Sequence, residues 1–175
     1  MSELSTVREL FRYNSDVRKK YIECMNEIEW GELIKNREAS FPSIRDVFLH
    51  VLDAYSWWLD IIEKGDAKDF QDIEPNEIQS VADIKKVEKM VDTRINSFIE
   101  KLTEETLSAE VRFRNRRGEH TLKLREILLH LVEEELQHRG EINCMLWQMD
   151  VDPPVTGFDD WVERRHKPAN KTERK

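Results

Sequence analysis

The chain has 175 residues, 39% of them hydrophobic and 37% charged, with only five Gly and five Pro. That length suits one domain around one core, and the scarcity of helix breakers favours a mostly helical protein. A net charge of −8 opposes an electrostatic grip on nucleic acid. No stretch approaches the roughly 18 apolar residues of a membrane span. The start MSELSTVRELF is charged too early for a secretory leader. We therefore expect a cytoplasmic protein with no nucleic-acid or membrane partner. Cys24 and Cys144 are too few for a disulfide framework, and both are expected to be small buried hydrophobes.

The first helix is expected over Ser5 to about Ile28, with Val7, Leu10, Phe11, Tyr21, Met25 and Ile28 on one side. Asn14 falls inside that stripe and calls for a hydrogen bond to a neighbouring helix. From Trp30 to Pro42 the pattern lapses into a loop. A second helix starts near Ser43, which can cap it, with Asp46 three residues on, and stops at Gly65. Ile44, Val47, Phe48, Val51, Tyr55, Leu59 and Ile62 form its stripe. His50 lies off the centre of that stripe with Ala54 and Trp57, so the helix is apolar over a wide arc and should be covered on more than one side.

Asp66 to Ser80 is acidic and broken by Pro75, which reads as a long surface connection. Ile84, Val87, Val91, Ile95, Phe98 and Leu102 then mark a third helix. Glu110 to Leu122 alternates like a short hairpin turning near Gly118, with Arg112, Arg114, Arg116 and Arg117 as a small basic patch. After Met149 the chain turns at Pro153 and Pro154. Phe158 and Trp161 are expected to pack back, and the single domain to end near residue 162, before a charged, mobile tail over 163–175.

The fourth long helix, from Lys123 to Met149, carries the candidate chemistry. Leu124, Ile127, Leu131, His138, Ile142 and Met145 recur at helical spacing, with His130, Glu134 and Glu141 along a second line. His138 therefore stands where apolar and ionisable faces meet. Glu134 and His138, at i and i+4, can reach one point beside the helix. That is ligand spacing, and it is also the spacing of a solvated, ion-paired edge.

Together the segments LFRYNSDVRKKYIECM, FPSIRDVFLHVLDAYSWW, GEHTLKLREILLHLV and HRGEINCMLWQM followed by DVDPP resemble the DinB/YfiT-like superfamily over nearly the whole chain. The resemblance implies an all-α four-helix bundle with a short hairpin before the last long helix. It also implies a divalent metal held by three His at one end of the bundle. His50 matches the first of these and His138 the last, but the middle position is Glu134 where the family usually has His. Two imidazoles and a carboxylate can hold Zn, Ni, Mn or Fe and leave positions open. The alternative is that the exchange has abolished the site.

His130 lies two turns, about 12 Å, before His138, too far to share one ion with it easily. It reads instead as a supporting or pocket group. Glu141 lies close enough to orient an imidazole or act as a base, Glu135 is expected to pair with a cation, and Arg139 to face outward or bond a helix partner. By resemblance the function is that of a metal-dependent thiol transferase or hydrolase acting on a small molecule, with a low-molecular-weight thiol as possible cofactor. A non-catalytic metal-binding or structural bundle is the alternative. A homodimer is also expected, with Trp57, Trp58 or Trp147 as aromatic anchors.

Overall fold

A computed structural model describes residues 2–115 and 117–166. Its element order is α1 (Glu3–Asn26), α2 (Trp30–Leu33), α3 (Ile44–Lys64), a 3-10 turn (Pro75–Glu77), α4 (Val81–Glu100), α5 (Glu104–Leu107), β1 (Glu110–Asn115), β2 (Gly118–Lys123), α6 (Leu124–Trp147) and α7 (Phe158–His166). The four long helices form a bundle and the strands an antiparallel hairpin, Glu110 opposite Lys123 and Phe113 opposite His120. Arg116, the fourth member of the expected basic patch, lies outside the described residues.

The long helices begin and end where local chemistry directs. Ser43 and Ser80 cap α3 and α4, each side chain accepting from the backbone N–H three residues on. Gly65 ends α3 at φ +82°, a left-handed value that costs an L residue about 1 kcal/mol or more. The short helices α2 and α5 fill stretches that lacked a period long enough to show as helix.

Cross-helix pairs set the directions. Arg8 donates to the carbonyls of Ile99, Glu100 and Leu102 at the end of α4, and Arg18 meets Asp92 further back, so α1 and α4 are antiparallel. Arg18 with Glu135, followed by Tyr21 with Asn143, makes α1 and α6 parallel. His50 meets Glu134 while Trp58 meets His130, so α3 and α6 are antiparallel. The order is thus up-down-down-up, and the connection after α3 must travel back along the bundle before α4 starts. It does so along α3, where the Ile73 N–H donates to Asp53 at 3.0 Å.

The core combines Val7, Phe11, Tyr21, Met25, Leu49, Leu52, Tyr55, Ile84, Ile95, Leu128 and Met145, all buried. Asn14 lies fully buried and donates to Tyr55 Oη at 3.1 Å, which is the interhelical bond its place in the stripe demands. Trp161 is buried with its indole N–H on Asp16. Phe158 is partly exposed and stacks on Trp161.

Residues 163–166, expected in the tail, continue α7 instead. Arg165 there lies over the Trp161 ring and pairs with Glu9. The remainder of that segment, 167–175, is outside the described residues. A second expectation fails: Cys24 is only half-buried and Cys144 is exposed, on the side of α6 that also carries the exposed Gly140, Trp147 and Gln148.

Candidate metal centre

α3 supplies His50 and α6 supplies Glu134 and His138, and the antiparallel pairing of these helices brings the three together. Glu134 Oε1 lies 3.0 Å from His50 Nε2 and 3.2 Å from His138 Nε2. One donor atom from each residue lies within 4.8 Å of the other two, a spread that a single ion can span. The cluster is shielded but not sealed. The His138 side chain is 8% exposed, Glu134 20% and His50 34%.

The groups around the cluster fix its orientation. His138 Nδ1 lies 3.0 Å from Glu141 Oε2, while Glu141 Oε1 accepts from Ser40 Oγ at 2.6 Å and from the Phe41 N–H. Both Glu141 oxygens are therefore engaged, which suits orienting an imidazole more than abstracting a proton. Phe41 stacks on the His50 ring at 4.2 Å and meets His138 edge-on. Ser40 and Phe41 were not singled out in the sequence, because nothing in their loop is periodic.

The proton count in the cluster shows what it lacks. If Nδ1–H of His138 donates to Glu141, a neutral ring presents only a lone pair at Nε2, and that lone pair faces a carboxylate oxygen. The arrangement is stable only with a positive charge between the donors, either an extra proton or a metal ion. Burial raises the Glu134 pKa, but the His50 hydrogen bond and the nearby His138, His130 and His50 outweigh it, and the net value is below that of an ordinary glutamate. Glu141 is likewise lowered, with burial opposed by Ser40, His138 and the Phe41 N–H. Two carboxylates held ionised against two imidazoles fit a divalent cation.

His130 does not join His50 and His138 but falls with Glu133 and Glu134 in a second, more exposed group whose ligand atoms lie within 4.8 Å of one another. Its Nε2 is 4.0 Å from Glu134 Oε2, the carboxylate oxygen turned away from His50 and His138, and its ring meets Trp58 edge-on. There it lines a cavity of about 250 Å³ that also opens onto His50 and Glu134. Glu135 points the other way, into the core, and pairs with Arg18 at 2.7 Å as its cation. Arg139 is buried, lies over the Tyr13 ring and donates to Tyr13 Oη, bonding a helix partner.

The fold and this His–Glu–His cluster between α3 and α6 define a helical bundle with a polar pocket in its flank. Residues 1–169 match the model of the DinB family, and the chain belongs to that family. It is 26% identical over 165 residues to the uncharacterized protein YizA of Bacillus subtilis (strain 168), covering 91% of this chain and 96% of YizA. Among solved structures, a DinB-like protein from Bacillus subtilis, YjoA, superposes with a TM-score of 0.62 at 21% identity, over 84% of this chain and 96% of that one. A second, from Bacillus cereus ATCC 10987, gives 0.60 at 16% identity, over 82% and 90%. At these identities the likeness shows the fold alone.

Proposed function

We propose that this chain is a divalent-metal-dependent hydrolase of a small molecule, its ion held by His50, Glu134 and His138. The observation that carries the reading is the convergence of two imidazole Nε2 atoms on one carboxylate oxygen, with His138 held between Glu134 and Glu141 so that its neutral ring would turn a lone pair towards one of those carboxylates. A bound ion would supply Lewis acidity and an acidified water at the open side of the cluster. Glu141 holds the His138 ring in place, and Phe41 packs against both imidazole rings. His130, on the pocket wall beside the second oxygen of Glu134, is placed to take or give a proton to a bound molecule.

A carboxylate among the ligands lowers the net charge of the centre by one relative to three imidazoles. That lessens its attraction for an anionic thiolate, so hydrolysis is preferred to thiol transfer. Zn, Mn, Ni and Fe all suit such a donor set. The test is elemental analysis of untagged protein, followed by assay of a panel of small esters and amides with and without chelator. Stoichiometric metal with chelator-sensitive turnover supports the reading. Stoichiometric metal with no turnover in any member would favour a non-catalytic metal-binding bundle, and absence of metal would mean that the Glu134 exchange has abolished the site.

A further inference from the structure

Beside the cluster, the 250 Å³ cavity runs along α3 and α6. Asp53, Trp57 and Trp58 lie one and two turns beyond His50 on α3, and His130 lies one turn before Glu134 on α6. The far wall comes from the returning connection, which contributes Phe70 and Asp72. The wall is thus the rings of Trp57, Trp58 and Phe70, the imidazoles of His50 and His130, and two aspartates, added to the centre's own Glu134. Among the described residues lining it there is no Lys or Arg.

Those aspartates lack a cation. Asp53 accepts two bonds from the Ile73 N–H, at 3.0 and 3.3 Å, and among the described residues neither Asp53 nor Asp72 has an ion-pair partner. Burial raises Asp53, the Ile73 N–H opposes it, and Asp72 adds to the rise, so that its pKa is pushed up to about 6. A carboxylate so placed is relieved by a positive charge entering the cavity. Aromatic faces favour the same guest, because their π-electron clouds attract cations, and most strongly when the cation is weakly hydrated. At Asp60, which is buried, the chain supplies the cation itself through Arg94, whereas Asp53 is half-buried and Asp72 exposed. Here it leaves them facing a cavity.

We infer that this cavity binds a small organic cation, an ammonium or guanidinium group on an apolar body, with the charge at Asp53 and Asp72 and the apolar part against Trp57, Trp58 and Phe70. The inference rests on the reading that the cavity beside His50, Glu134 and His138 receives the substrate. It gives that substrate a charge: the molecule cleaved at the centre carries its cation one to two turns of α3 away from the scissile bond. It also disfavours polyanionic thiols as occupants, since their carboxylates would face Asp53 and Asp72.

Calorimetric titration of the full chain can test this, with benzyltrimethylammonium and benzoate as probes. They share a ring and differ in charge, and the quaternary cation cannot ligate a metal. Each is titrated into metal-loaded and chelator-treated protein, and metal content is measured on the same samples. The expected result is millimolar or tighter binding of the cation, at least tenfold tighter than benzoate, in both samples. Asp53→Asn and Asp72→Asn should each weaken the cation about threefold to tenfold, and Trp57→Leu should weaken it with little effect on folding. Benzoate binding as well as the cation, no binding of either, or an unchanged affinity in both Asn variants would overturn the inference. Because the probe needs no metal, absence of metal from the purified protein would sink the hydrolase reading while leaving this one standing.

Discussion

At the scale of single residues, Glu134 decides the character of the site, because its Oε1 is shared by two imidazoles while its Oε2 faces the cavity and His130. If it is a ligand, Glu134→Ala should lose metal about as completely as His138→Ala, since each removes one of three protein donors from one ion. Glu134→His should keep metal, because imidazoles at i and i+4 are a competent pair. His130→Ala should retain it. Elemental analysis after identical dialysis reads all four, and loss in His130→Ala with retention in Glu134→Ala would reverse the assignment. Asp53 gives a second prediction, from pH. Its folded pKa of about 6 lies above the ordinary aspartate value near 4, so its ionisation costs stability as pH rises through 6, and costs nothing below 4. Asp53→Asn keeps an acceptor for the Ile73 N–H and removes that cost. It should stabilise the fold at pH 8 by about 1 kcal/mol, after discounting for solvent screening of a half-exposed group, or about 3 °C in Tm. The gain should vanish at pH 4, and an equal gain at both pH values would mean that ionisation is not its source.

At the scale of elements, two glycines separate backbone strain from helix propensity. Gly65 ends α3 in the left-handed region and Gly140 lies within α6, and a Cβ at either would meet nothing within 4 Å. Contact is therefore not the issue at either position. Gly65→Ala should cost about 1 kcal/mol through its φ of +82°. Gly140→Ala should gain up to about 1 kcal/mol through helix propensity. Urea unfolding with unchanged slopes checks both, and the same sign for the two substitutions would contradict the account. The same contrast explains what was legible in the sequence. Long helices with a 3.6-residue period and a cap, such as Ser43 to Gly65, declare themselves locally, and the hairpin does so through alternation and Gly118. α2, α5 and α7 hold a turn or two each, too little period to read, and they form because the bundle offers them a surface. Within the candidate site, Glu134 and His138 were legible as one helix edge. His50, 84 residues before Glu134, could be joined to them only through family resemblance. Of the cavity wall, His130 was legible as a pocket group and Trp57 as a neighbour of His50 on α3, but Phe70 and Asp72 were hidden, because they reach α3 only through the backward course of the connection, and composition does not encode direction.

On the scale of the whole molecule, two polar assemblies bind the bundle from inside, and they differ in what completes them. One takes its cation from the protein: Arg18, 3% exposed, pairs with Glu135 and Asp92 at 2.7 and 2.8 Å and sits beside Glu88 at 3.5 Å, while Tyr55 donates to Glu135, although Arg18 Nε, Glu88 Oε1 and Glu135 Oε1 are buried without a hydrogen-bond partner. Burial works against the guanidinium charge, and the facing carboxylates hold it. Arg18→Ala should cost about 3–5 kcal/mol, because it leaves Glu135 buried without its cation. Adding Glu135→Gln should recover part of that loss in thermal unfolding, and a purely additive double variant would deny the coupling. The other assembly sets His50 and His138 against Glu134, and among the described residues no Lys or Arg pairs with that carboxylate. An ion there would tie α3 to α6 across a separation of 84 residues in sequence, and its binding energy would appear as folding energy. At free metal about 1,000-fold above Kd the linkage is worth about 4 kcal/mol. That is roughly 8–16 °C in Tm for a domain of this size. Chelation of protein first verified as metal-loaded should lower Tm by an amount of that order, and re-addition of Zn, Ni or Mn should restore it. His50→Ala should abolish the response to chelator while leaving the Arg18 network undisturbed, since no member of that network touches His50. Equal melting of loaded and chelated protein would mean that the two imidazoles and Glu134 are held together by protons, and that the centre is an ion-paired edge of the bundle.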